Sequence, residues 1–154
     1  MSETSHSDLT AERIESLKAG TLAALALLLA FGAIAAASQL LLTKRFDALA
    51  GVLVPPTDLK LPVSLAIAGL SGFLFGVTYR YAIRTDSNPQ LKAGAVLAFG
   101  LVRGLAQLDV GLSASSDFWP FAVLGVESVL LFAAAGTALD WALARGWVRP
   151  FSSK

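Results

Sequence analysis

Hydrophobic positions along this chain fall into four long blocks separated by short polar breaks. The first block is the clearest. From Ala19 to Thr43 no residue carries a charge, and Lys44-Arg45 closes the run. Roughly 20 apolar residues let a helix cross a bilayer core of about 30 Å, and this block is longer than that. A soluble protein has nowhere to bury such a segment, so the pattern assigns the chain to a membrane.

The remaining blocks are bounded by turn chemistry. Val54-Pro55-Pro56-Thr57-Asp58 is a strong breaker, and the stretch before it, Phe46 to Val54, suits the membrane interface. A second helix starts near Pro62, a residue suited to a first helical turn, and runs to about Tyr79. Thr85-Asp86-Ser87-Asn88-Pro89 reads as a turn, with Asn88 as N-cap and Pro89 at the first helical position. The third helix follows to about Leu112. Ser113 to Asp117 is so short that the third and fourth helices must form a tight antiparallel hairpin. The fourth helix extends from about Phe118 to Leu143, with Pro120 harmless in its first turn.

The N-terminal segment differs in character. Met1 to Ser7 reads as disordered. From Thr10 the residues suit a short amphipathic helix at the membrane surface: Thr10 caps it, Glu12 favours its first turn, and Ile14 and Leu17 share a face. The expected organisation is a polar and amphipathic segment over 1–18, a four-helix transmembrane domain over 19–146, and a polar tail over 147–154. Ala35-Ala36-Ala37 resembles a leader-cleavage site, but Glu3, Asp8, Glu12 and Glu15 precede it and the apolar run continues beyond it.

Composition agrees. The 154 residues are 55% hydrophobic and only 15% charged, against about 25% charged in soluble domains, and the mean hydropathy is +0.67. A net charge of +1 suggests no nucleic-acid partner. The absence of cysteine excludes disulfides and thiolate-bound metals, and the one histidine, His6, lies in the tail. No metal site and no cofactor are predicted, while a bound lipid or pigment stays open.

Basic residues orient the bundle. Arg13, Lys18, Arg80, Arg84, Lys92, Arg145, Arg149 and Lys154 fall on one side, and Lys44, Arg45 and Lys60 on the other. Both termini should therefore face the cytoplasm, or its equivalent in an organelle. Trp119 marks one interface, and Trp141 and Trp147 the other.

Charges inside a span are costly and mark candidate sites. Two are central, Arg103 in the third helix and Glu127 in the fourth. Their depths nearly coincide in a tight hairpin, so an ion pair between them is expected, extended by Gln107 one turn from Arg103. Asp109 lies nearer the far interface, where water or Lys60 meets it. The pair reads three ways: a static lock on helix register, a contact to a partner, or part of a proton or ion relay.

Small residues form the second pattern. Gly69, Gly72 and Gly76 line the second helix, and Gly100 and Gly104 the third. Such surfaces let backbones approach closely where lipid gives no hydrophobic drive, either inside the bundle or against a partner. The third pattern is a basic surface on the cytoplasmic side, made of Arg80, Arg84, Lys92, Arg145 and Arg149. It reads as positive-inside charge, or as a site for anionic lipid or an acidic partner.

No Gly-x-Ser-x-Gly elbow, His-Glu-x-x-His motif or Walker loop is present, so no enzyme is expected. At Thr78-Tyr79-Arg80-Tyr81-Ala82-Ile83-Arg84, Asn88-Pro89-Gln90-Leu91-Lys92-Ala93-Gly94 and Phe99-Gly100-Leu101-Val102-Arg103-Gly104 the chain resembles an uncharacterised family of small integral membrane proteins of cyanobacteria and chloroplasts. The resemblance implies a thylakoid or related membrane and a place beside large photosynthetic complexes. The sequence thus points to an all-α bundle of four transmembrane helices. The expected role is that of a non-catalytic accessory or assembly subunit of a larger membrane complex, which the resemblance implies to be photosynthetic. The alternative is a small transporter or channel component using the Arg103–Glu127 pair. Membrane shaping through the N-terminal amphipathic stretch is a weaker third reading.

Overall fold

The computed structural model describes residues 3–41, 60–83, 88–114 and 119–151. They form four α-helices: α1 Glu3–Leu41, α2 Lys60–Ile83, α3 Pro89–Ala114 and α4 Trp119–Ala144. Among the described residues there is no strand. Each helix contains a segment long and apolar enough to cross a membrane: Leu9–Ala37, Pro62–Ile83, Pro89–Asp109 and Ala122–Ala144. The all-α, four-span architecture is as the sequence indicates.

Local chemistry sets the helix ends. Asn88 caps α3 as expected, its Oδ1 accepting the Gln90 N–H at 3.0 Å, with Pro89 at the first helical position. At the same end of the hairpin, α4 closes on Gly146, whose φ of 72° only glycine adopts easily. The Trp147 N–H then reaches the Ala142 carbonyl at 3.0 Å and the Gly146 N–H the Leu143 carbonyl at 3.1 Å. That pair of bonds is the Schellman closure, which satisfies carbonyls the helix end leaves open.

The N-terminal segment departs from expectation. Residues from Glu3 onward are helical and continuous with the first span. There is neither a disordered stretch over residues 3–7 nor a separate surface helix before Ala19. At about 1.5 Å per residue, the 39 residues of α1 reach about 58 Å, well past the bilayer core. Expected features between Thr43 and Leu59, Phe46 to Val54 included, lie outside the described residues.

Helices α1 and α2 form one hairpin and α3 and α4 the other, and the two dock mainly through α4 against α1 and α2 against α3. The buried core lies in the half of the bundle nearer the chain termini. There Ala19, Ala23 and Leu27 of α1 meet Phe75 and Tyr79 of α2 and Leu131, Phe132 and Leu139 of α4. Phe75 centres an aromatic group, with ring centroids 5.1 Å from Tyr79, 5.4 Å from Phe99 and 5.2 Å from Phe132. Tilted and edge-on contacts at these distances are the favoured arrangement for aromatic pairs.

Candidate functional site

The depth of the central charges is set by the α3–α4 seam. A Cβ on Gly100 would lie 2.8 Å from the Val129 Cα, and one on Gly104 2.9 Å from the Gly125 Cα. The two backbones therefore touch, which fixes the register and places Arg103 level with Val126 and Glu127. Arg103 and Glu127 feel each other's charge, yet no N···O contact within 4.0 Å joins them. The expected direct ion pair is not formed. Backbone contact at the glycines decides where the side chains start, and neither chain reaches across.

Two polar atoms in this region are left without partners. The Arg103 Nε is buried with no hydrogen bond, and so is the Oγ of Ser128, a residue only 1% exposed. Gln107, half-buried, follows one turn along α3. Ser128 follows Glu127 on α4 and was not a candidate on sequence, since a lone serine in an apolar helix usually bonds its own backbone.

The glycines serve packing within the chain. A Cβ on Gly76 would sit 2.6 Å from the Ala23 Cβ and press on the Ala19 carbonyl, and one on Gly72 would lie 2.9 Å from the Ala24 Cα. Gly69 has looser surroundings, with Leu28 Cδ1 at 3.6 Å. The α2 seam thus receives small residues of α1, and the α3 seam receives α4. Of the two readings of these glycines, intramolecular packing is the one the geometry fulfils.

The basic set at the termini end needs correction. Arg80 is not on a surface: it is 1% exposed. Its Nη1 donates to Ser16 Oγ at 2.7 Å and to the Glu12 carbonyl at 3.2 Å, its Nη2 to the Glu12 carboxylate, and its Nε to the Arg149 carbonyl at 2.8 Å. One guanidinium thereby ties α1, α2 and the segment after α4. Five donors on a rigid planar fork make arginine suited to such a junction. Alongside, the Arg149 N–H donates to Glu15 Oε2 at 2.9 Å, and Lys18 pairs with Glu15 at 2.8 Å.

Lys92 is likewise engaged. Its Nζ donates to Asp140 Oδ1 at 2.8 Å, and the Tyr79 hydroxyl donates to the same oxygen at 3.1 Å, joining α2, α3 and α4. Arg145 is exposed, with its guanidinium 4.7 Å from the Trp141 ring centroid. The Arg149 side chain is exposed, and Arg84 lies outside the described residues.

Glu12, Ser16 and Asp140 complete these junctions and were not site candidates on sequence, whereas Tyr79 adjoins the predicted basic cluster and supplies a hydroxyl to Asp140. The one available signal was Asp140, a carboxylate within an apolar helix and so in need of a partner. No family model, curated protein or solved structure matches the chain.

Proposed function

We propose that this protein is a non-catalytic accessory or assembly subunit that packs against a larger membrane complex. The observation that carries this reading is the exposure of α3. It is the least buried of the four spans, and its outer face presents Leu97, Leu101, Val102 and Leu105, with Val102 70% exposed. Because the glycine seams are occupied within the chain, a partner helix would meet this α3 face and not the glycines. The thylakoid or cytoplasmic membrane of a photosynthetic cell is the setting that the family resemblance implies.

Mild-detergent affinity purification from native membranes, with a photo-crosslinking residue at Val102, tests the proposal. A stoichiometric membrane protein joined through position 102 is the expected result. Migration as a free monomer, with no adduct, would overturn it.

A small transporter or channel component is the second reading, favoured by the unpartnered, buried Arg103 Nε at the depth of Glu127. Buried polar atoms without protein partners are where water enters a span. Flux in liposomes that disappears in Glu127→Gln would move the weight to this reading.

A further inference from the structure

At the end of α4 three side chains stand together with unused hydrogen-bond donors. Gly146 reverses the chain, and the Schellman bonds bring Trp147 back onto Trp141, with ring centroids 4.8 Å apart and planes at 79°. The Arg145 guanidinium lies over Trp141. Val148, 1% exposed, anchors the next residue in the core, so the turn is held from both sides. Both indoles remain open, Trp141 at 48% and Trp147 at 58%. Among the described residues, the Arg145 guanidinium and the two indole N–H groups have no hydrogen-bond acceptor within the chain.

The position of this group selects its ligand. Arg145 is the first residue beyond the span that ends at Ala144, so it lies where hydrocarbon gives way to headgroups. Exposed tryptophans favour that depth because the ring is apolar and its N–H is polar. A molecule reaching all three groups approaches from the plane of the bilayer. The nearest acid on α4, Asp140, is already engaged by Lys92 and Tyr79. Of the basic residues expected at this end, Arg80 and Lys92 are consumed internally, whereas Arg145 keeps its charge facing outward.

We infer that Arg145, Trp141 and Trp147 form a preorganised site for the headgroup phosphate of an anionic phospholipid. The guanidinium supplies the charge and a planar fork of donors matched to phosphate oxygens. Stacking on Trp141 limits its motion, so less side-chain freedom is lost on binding. The indole N–H groups supply donors to the phosphate or to the ester region below it.

The test uses the full chain carrying Trp119→Phe, which leaves Trp141 and Trp147 as its indoles. It is reconstituted in mixed phosphatidylcholine and phosphatidylglycerol vesicles, with one lipid at a time brominated near the headgroup. Quenching of indole fluorescence then gives the relative affinity of the two lipids. One basic residue near an anionic lipid contributes about fivefold, so phosphatidylglycerol should be preferred about fivefold. Arg145→Gln should bring the ratio to about one, while Arg149→Gln leaves it unchanged. The Arg145 side chain has no hydrogen bond to lose, and its backbone N–H keeps the Trp141 carbonyl in the variant, which should hold the parent melting temperature. Equal quenching by both lipids in the parent protein, or a preference that survives Arg145→Gln, would overturn the proposal.

Discussion

The Arg80 Nη1 lies 2.7 Å from the Ser16 Oγ, inside the protein, where α2 and α1 come together. Around this bond the same guanidinium holds Glu12 and the Arg149 carbonyl. A surface charge at this position would be dispensable, whereas a buried one that completes three segments is not. Arg80→Ala should cost about 3–5 kcal/mol, the usual effect of removing one partner from a buried ion pair. Ser16→Ala should cost about 1 kcal/mol, as for an ordinary hydrogen bond. Reversible unfolding in bicelles measures both, and a loss below about 0.5 kcal/mol for Arg80→Ala would return this residue to the surface.

The segment after α4 is tied in by the same group. Ending the chain after Val148 removes the Arg149 carbonyl from Arg80 and the Arg149 N–H from Glu15. Truncation should destabilise the protein and do so less in an Arg80→Ala background. Groups sharing one network couple by about 0.5–3 kcal/mol. A double-mutant cycle with strictly additive losses would show that the tail and Arg80 act independently.

Glycines should separate into two classes. Gly76→Ala and Gly104→Ala push a methyl into the backbone of the facing helix and should cost about 1–3 kcal/mol, as overpacking does. Gly94 and Gly32 have open space where a Cβ would go. Alanine at either should be neutral, or stabilising by about 0.5–1 kcal/mol through helix propensity. Melting temperatures of the four variants in one detergent decide the matter.

At mid-membrane, the missing ion contact changes what mutation should do. With no N···O contact within 4.0 Å between Arg103 and Glu127, their coupling should be under about 1 kcal/mol, where membrane double-mutant cycles average about 0.6. Ser128→Ala removes a buried hydroxyl that has no partner. It should be neutral or slightly stabilising, since an unsatisfied polar group costs about 1–3 kcal/mol. A coupling above about 2 kcal/mol would mean that a bridging group joins Arg103 to Glu127, and a large loss in Ser128→Ala that its hydroxyl holds a partner such as a water.

Asp140 holds two donors on one oxygen. Asp140→Ala should therefore cost more than Tyr79→Phe, which removes a single bond of about 1 kcal/mol. Equal losses in thermal unfolding would mean that Lys92 finds another acceptor when Asp140 is gone.

Four helices long and apolar enough to cross a membrane, and the starts of three of them, are legible in the residues alone. Each of these follows from local physics. Apolar runs of bilayer length have no other place to go, and Asn88-Pro89 starts a helix through its own backbone preferences. The glycine positions were legible as close-packing surfaces, but whether a partner or the chain itself fills them is a question of which faces meet. That Gly76 receives Ala19 and Ala23, and Gly104 receives Gly125, emerges from how the helices pack.

That packing also decided the fate of the charges. Arg80 and Arg145 look alike in sequence, each at the end of a span. One is buried and the other exposed because α1 continues as a helix through Glu12 and Ser16 and passes beside Arg80. Arg103 and Glu127 share a depth that sequence arithmetic predicts, but no N···O contact within 4.0 Å joins them. Sequence spacing sets depth in the bilayer. Which side chains touch depends on the rotation and approach of separate helices, which no local pattern encodes.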